Sequence, residues 1–140
     1  MDGKRDVTGE VDCWNTLLEE RVVIESFDLP AIECVKRIDA RLRTAALFGP
    51  SFATPPLLAS RQIVEAARAV GADEVALHRR LATATNIRAA LDARFEVVCW
   101  TIDKPEWIER AKQLGVKALI TNDPALMLRQ YRERQRPDGP

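Results

Sequence analysis

The chain has 140 residues, 46% hydrophobic and 30% charged, with as many Lys and Arg as Asp and Glu. That length bounds it at one domain, large enough for a real core. Balanced charge argues against nucleic acid as the main partner, since that affinity rests on clustered Lys and Arg. No apolar run approaches the ~20 residues a membrane span needs.

Residues 1–9 are polar and glycine-containing, which predicts a flexible N-terminus without the apolar centre of a signal peptide. Val11, Trp14, Leu17 and Leu18 fall at helical spacing within Glu10–Glu20. Arg21–Glu25 reads as a short β-branched strand. It leads into a helix capped by Asp28, with Pro30 in its first turn and an expected buried stripe of Ile32, Val35 and Ile38. Arg43–Phe48 is a weaker strand. A helix follows from about Pro56 to Val70 and is closed by Gly71. Asp73–Leu77 is the next strand, with Thr83 or Thr85 capping the helix behind it.

Phe95–Pro124 has the clearest pattern. Phe95–Thr101 is an apolar strand interrupted only by Glu96. Asp103 is placed to cap a helix with Pro105 in its first turn, and Gly115 sits where a helix C-terminal glycine belongs. Ala118–Thr121 is a second short strand, and Asp123 with Pro124 opens a last helix. That helix becomes strongly charged from Arg129, ahead of a tail over 136–140 expected to be disordered. The tally is one helix and then five βα units, an α/β fold built on a parallel sheet. An open doubly wound sheet and part of a (β/α)8 barrel both accommodate this; a complete barrel typically needs about 250 residues.

The three cysteines show no CxxC spacing. Cys34 and Cys99 fall in apolar periodic segments, so they are expected to be buried reduced thiols, which favours a reducing, cytoplasmic compartment. Phosphate-loop, dinucleotide, zinc-protease, calcium-loop and serine-elbow motifs are absent. The single histidine, His78, excludes a histidine pair within these residues.

What remains is a rim of polar and aromatic residues at the carboxyl ends of the strands, where parallel α/β folds place their chemistry. Glu25 is either a ligand or acceptor in a polar pocket, or a strand-end carboxylate paired with an arginine. Phe27 and Trp100 form an apolar wall for a small substrate, or ordinary core. His78, Arg79 and Arg80 are placed to attract an anionic phosphate, or form a solvated loop. Asp103 and Asp123 are best explained as helix caps.

Four landmarks within these residues carry a resemblance: VVIESFD (Val22–Asp28), VALHRRLAT (Val75–Thr83), VVCWTID (Val97–Asp103) and GVKALITNDP (Gly115–Pro124). Their order and wording resemble the C-terminal part of the glycerophosphodiester phosphodiesterase domain, over about residues 11–130. The resemblance implies a partial TIM (β/α)8 barrel, its five βα units corresponding to the fourth through eighth strands and preceded by one helix. It implies a glycerophosphodiester substrate and a divalent metal, Mg or Ca. It carries over Ser26, Phe27, Trp100, Thr121 and Asn122 as substrate-pocket positions.

The family's histidine pair and metal carboxylates lie on its first three strands, in a His-Arg motif, a Glu-x-Asp segment with a downstream His, and a Glu-x-Lys strand. No stretch of this sequence matches any of them, so no catalytic residue or metal ligand transfers. Five-eighths of a barrel leaves two open strand edges, and apolar strands such as VVI and EVVCW are expected to face water on the former lumen side. The expected remedies are a longer reading frame, a separate N-terminal barrel partner, or edge-to-edge self-association. A non-catalytic α/β binding or assembly module derived from that barrel is the competing expectation.

Overall fold

A computed structural model describes residues 21–50 and 59–136. The expectations for residues 1–20, for 56–58 at the start of the third helix and for the tail at 137–140 lie outside the described residues. Strands and helices alternate: β1 (Val23–Ser26), α1 (Leu29–Ile38), β2 (Arg43–Phe48), α2 (Ser60–Ala69), β3 (Glu74–His78), α3 (Ala84–Asp92), β4 (Glu96–Trp100), α4 (Glu106–Leu114), β5 (Ala118–Leu119) and α5 (Pro124–Gln135).

Local chemistry accounts for three helix ends. The Thr83 hydroxyl accepts from the Asn86 N–H at 3.1 Å, and the Asp123 carboxylate accepts from the Leu126 N–H at 2.9 Å. Each satisfies an amide that the first helical turn leaves unpaired. Gly115 ends α4 at φ 78°, a left-handed conformation that a Cβ would strain. Two expected caps differ. Asp28 precedes α1 without a side-chain cap bond, and α4 starts from Pro105, leaving Asp103 for another role.

The sheet order is β1-β2-β3-β4-β5, every pair parallel. A doubly wound sheet reverses direction partway; this one does not. Crossover connections share one hand, so strands that advance in one direction put every helix on the same face. Ala46, Val75 and Val97 align across β2–β4, as do Phe48, Leu77 and Cys99 one pleat further along. Both rows pack with Ile32 of α1, Ile63 and Ala67 of α2, Ile87 and Ala90 of α3, Ile108 of α4 and Met127 of α5 in one core.

Two burial expectations are corrected on α1. Ile38 is 78% exposed and Cys34 is exposed. At 3.6 residues per turn they lie about 120° and about 160° around the helix from the fully buried Ile32. Lys36 lies nearer the buried side, and its Nζ donates to Asp73 Oδ2 at 2.6 Å and to the Leu42 carbonyl at 2.8 Å. Cys99 is buried as expected, and burial pushes its thiol up to about 12.

The face away from the helices also departs from expectation. Val97–Cys99 are all buried, and of Val22–Ile24 only Val22 is exposed. The pleat sends Val97 and Cys99 toward the helices and leaves small or well-covered residues opposite: Ala45 and Ala76 at 0% and Val98 at 5% exposure. Exposed large apolar side chains gather at the two sheet edges instead. Val22, Phe27 and Ile38 flank β1, and Ile120, Leu128 and Tyr131 flank β5.

At the amino ends of the strands this second face carries a closed charge network. Glu74 Oε1 accepts from Arg43 Nη2 at 2.9 Å and from Lys117 Nζ at 2.5 Å. Glu96 accepts from the same two cations, Lys117 Nζ at 2.5 Å. The Glu74 side chain is almost fully buried, so its charge is tolerable only because two cations flank it. The Lys117 hydrogen bond foremost, with the Arg43 and Lys117 charges, holds the Glu96 carboxyl below its ordinary range despite a burial cost.

Lys117→Met leaves a buried carboxylate with one cation and is expected to cost about 1–2 kcal/mol in urea unfolding, the lysine's partial exposure moderating the loss. Because Glu96 is depressed in the folded state, its contribution is complete above the ordinary glutamate pKa of about 4.3 and is lost as pH falls through the lower folded value. The acid-induced drop in urea midpoint between pH 7 and pH 3 should therefore be smaller in Glu96→Gln than in the parent.

Candidate functional site

The carboxyl ends of β1–β4 bring four residues together on the helix-free face. His78 and Trp100 are register partners at the ends of β3 and β4. The Trp100 indole is pinned by its Nε1–H, which donates to the Ala76 carbonyl at 3.1 Å. The Phe27 ring meets Trp100 edge to face at 5.4 Å between centroids, and the His78 imidazole does so at 4.8 Å. These are the geometries that the aromatic quadrupole favours. Gly49, just past β2, makes the approach possible. A Cβ there would meet the Trp100 ring at 3.2 Å and the Phe27 ring at 3.4 Å.

Phe27 is 61% exposed, so this aromatic corner is open on one side rather than closed core. The half-buried His78 is fixed by the Arg80 N–H, which donates to its Nδ1 at 3.3 Å. Nδ1 accepts from a backbone N–H as only a neutral imidazole can, and burial first, then the Arg79 and Arg80 charges, lowers the His78 pKa, which favours that same neutral form. The Arg79 N–H donates to the Trp100 carbonyl at 2.6 Å, tying the β3 loop to the β4 end.

A second group forms where β4 and β5 end. Asp103 Oδ1 accepts from the Thr121 hydroxyl at 2.9 Å and from the Asn122 backbone N–H at 2.8 Å, while Oδ2 accepts from Asn122 Nδ2 at 3.1 Å. The Asn122 backbone bond first, then the Thr121 hydroxyl bond, holds the Asp103 carboxyl below the usual range. Asp103 therefore clasps two loops instead of capping α4. Thr121 Oγ1 also accepts from the Asp123 N–H at 3.1 Å, so its donor and one acceptor site are both used.

The five sequence-derived positions thus divide. Phe27 and Trp100 touch, Thr121 and Asn122 meet on Asp103, and Ser26 Oγ is engaged locally, accepting from the Asp28 N–H at 3.0 Å. Gly49 and Asp103 are the residues that sequence reasoning missed as organisers. The Gly49-Pro50 pair marked a turn, but nothing local showed which ring would press on it. Glu25 lies on the helix-free face of edge strand β1. Among the described residues no hydrogen bond or ion pair reaches its carboxyl, which burial first and Glu74 second raise above the ordinary range. Among the described residues no group of three or more His, Cys, Asp or Glu lies together to hold a metal ion. The donor set at this rim does not fit one.

The model of the glycerophosphoryl diester phosphodiesterase family matches residues 2–126. The chain belongs to that family. No curated protein matches it in sequence. Among solved structures, a glycerophosphoryl diester phosphodiesterase assigned in Agrobacterium tumefaciens is 26% identical with a TM-score of 0.70, over 91% of this chain and 52% of that one. One assigned in Silicibacter pomeroyi is 23% identical with a TM-score of 0.69, over 89% and 42%. An Oleispira antarctica phosphodiesterase, solved in complex with the product sn-glycerol-3-phosphate, is 13% identical with a TM-score of 0.64, over 77% and 40%. The chain spans about half the length of these structures or less. With the sequential strand order, this makes the glycerophosphodiesterase fold seen here a partial (β/α)8 barrel. The aromatic corner stands at its carboxyl-end mouth.

Gly49→Ala is expected to push the Trp100 ring aside by a few tenths of an ångström. The near-ultraviolet circular dichroism should change while the far-ultraviolet spectrum is retained. Asp103→Ala should speed hydrogen exchange of the Asn122 amide well beyond that of amides in α3.

Proposed function

We propose that this chain forms the substrate-binding wall of a glycerophosphodiester phosphodiesterase, an enzyme class that hydrolyses a glycerophosphodiester to glycerol 3-phosphate and an alcohol in lipid metabolism. The observation that carries this is the open Phe27–Trp100 corner at the barrel mouth of a chain matched to the family over residues 2–126. Phe27 and Trp100 offer apolar edges and faces to the carbon skeleton of the glycerol moiety. Ser26, Thr121 and Asn122 stand on the same rim as polar neighbours. The Oleispira antarctica relative with sn-glycerol-3-phosphate bound supports this ligand class. The buried, unpaired thiol of Cys99 supports a cytoplasmic setting. No described helix is long and apolar enough to cross a membrane.

The hydrolytic chemistry lies outside these residues. With one histidine in the sequence and no metal-sized carboxylate cluster among the described residues, the chain binds and orients but does not transfer protons at the phosphoryl group. A divalent cation, Mg or Ca, supplies neutralisation of phosphoryl charge in such hydrolyses; its ligands belong to the complementary part of the barrel. That part, as an N-terminal barrel partner, would cover the outer edges of β1 and β5, which pair with no further strand among the described residues; self-association would cover those edges without supplying the ligands. The apolar rims beside those edges support this. They include a groove of about 580 Å³ between α4, β5 and α5, lined by Ile108, Leu119, Met127, Leu128 and Tyr131.

One observation favours the second reading, a non-catalytic module that folds without a partner. Ala45, Ala76 and Val98 are already buried, and the charges beneath them are paired within the chain. The two readings separate in one set of measurements. The purified chain, given glycerophosphocholine with magnesium or calcium, should release no glycerol 3-phosphate above the enzyme-free rate, and turnover would overturn the division of labour. A monodisperse, cooperatively melting species unaffected by either metal is the expected result for the stand-alone module.

A further inference from the structure

Three constraints converge on the imidazole of His78. Its register partner on β4 is Trp100, whose indole is locked to the Ala76 carbonyl, and the imidazole stands edge-to-face on that locked ring at 4.8 Å. Its Nδ1 is taken by the Arg80 N–H at 3.3 Å. In a neutral ring with Nδ1 accepting, the proton resides on Nε2. Among the described residues no group accepts from Nε2. The result is a fixed, uncharged N–H donor beside an exposed aromatic surface.

We infer that His78 is a specificity-determining residue of the mouth, donating from Nε2 to a hydroxyl of a glycerol group that lies against Trp100 and Phe27. This rests on the substrate-wall reading above and adds to it a polar discriminator. A neutral donor recognises a hydroxyl oxygen without requiring a negative charge, whereas a phosphate would call on charged partners such as Arg79 and Arg80 of the same loop. An apolar wall alone rejects a ligand without hydroxyls only weakly. A site built to bond a hydroxyl rejects it more strongly, because its own donor is then left unpaired. His78 therefore selects polyol-bearing ligands, and it binds rather than catalyses.

Because His78 is the only histidine in the sequence, its ring signals are identifiable in a proton NMR spectrum of the 140-residue chain. The experiment titrates the chain at pH 7.5 separately with glycerol, sn-glycerol 3-phosphate and inorganic phosphate, following the His78 ring and the Trp100 indole N–H. The expected result is a saturable shift of both signals with glycerol and with glycerol 3-phosphate, and none with inorganic phosphate. Movement of Trp100 without His78 overturns the role of His78 and leaves the substrate wall standing. A His78 shift with phosphate alone replaces the hydroxyl donor with an anion contact and also overturns it. If neither signal moves with any ligand, the substrate-wall reading falls and takes this inference with it. Two variants test the donor itself. His78→Phe keeps an aromatic ring on Trp100 without an N–H and should weaken glycerol 3-phosphate binding about two- to tenfold, the loss of one neutral hydrogen bond. His78→Gln retains a donor and should recover most of that affinity; equal loss in both variants would overturn the proposal.

Discussion

Each described strand after β1 pairs with the strand before it in the chain, and all four pairs are parallel. That single constraint arranges the rest. Right-handed crossovers between sequential neighbours stack every helix on one side, so alternate strand residues meet very different surroundings. Ala46, Val75, Val97 and their neighbours one pleat along are sealed under α1–α5. The intervening residues form a helix-free face where chemistry can be placed.

That face is graded along the strands. At the amino ends Arg43, Glu74, Glu96 and Lys117 neutralise one another around a buried carboxylate. In the middle, Leu47, Ala76 and Val98 form one aliphatic row, with Ala45 in the row of Glu74 and Glu96 below it. At the carboxyl ends the Trp100 indole lies back over β3, anchored on the Ala76 carbonyl, and Phe27 and His78 stand against it. A charged floor, an aliphatic middle and an aromatic mouth follow one another along the five described strands. Apart from the mouth, the exposed large apolar side chains among the described residues lie beside β1 and β5.

Much of this was legible in the sequence. The five described strands are short, largely apolar runs followed by polar or turn residues. Thr83, Asp123 and Gly115 announced helix boundaries because capping depends on a side chain and the backbone within a few residues of it. Phe27 and Trp100 could be paired as a wall because both sit just past a strand end. The misreadings share a different origin. Asp103 was expected to cap the next helix, yet three donors from a loop nearly twenty residues later hold it. Ile38 was assigned to the buried stripe of α1 because spacing alone does not say where that stripe stops; Lys36, drawn to Asp73, occupies the inward side there.

Local periodicity and capping chemistry thus set which segments are strands, where the helices begin and end, and that the sheet must be parallel, because those properties depend on residues close together in the chain. Tertiary structure decided the pairings that span tens of residues. It brought Arg43 to Glu74 and Glu96, placed Gly49 beneath Trp100, and closed the Asp103 clasp. It also decided which apolar residues are buried and which line an open edge. Those outcomes depend on strand register and on which face the helices cover, and both are settled only when the sheet assembles.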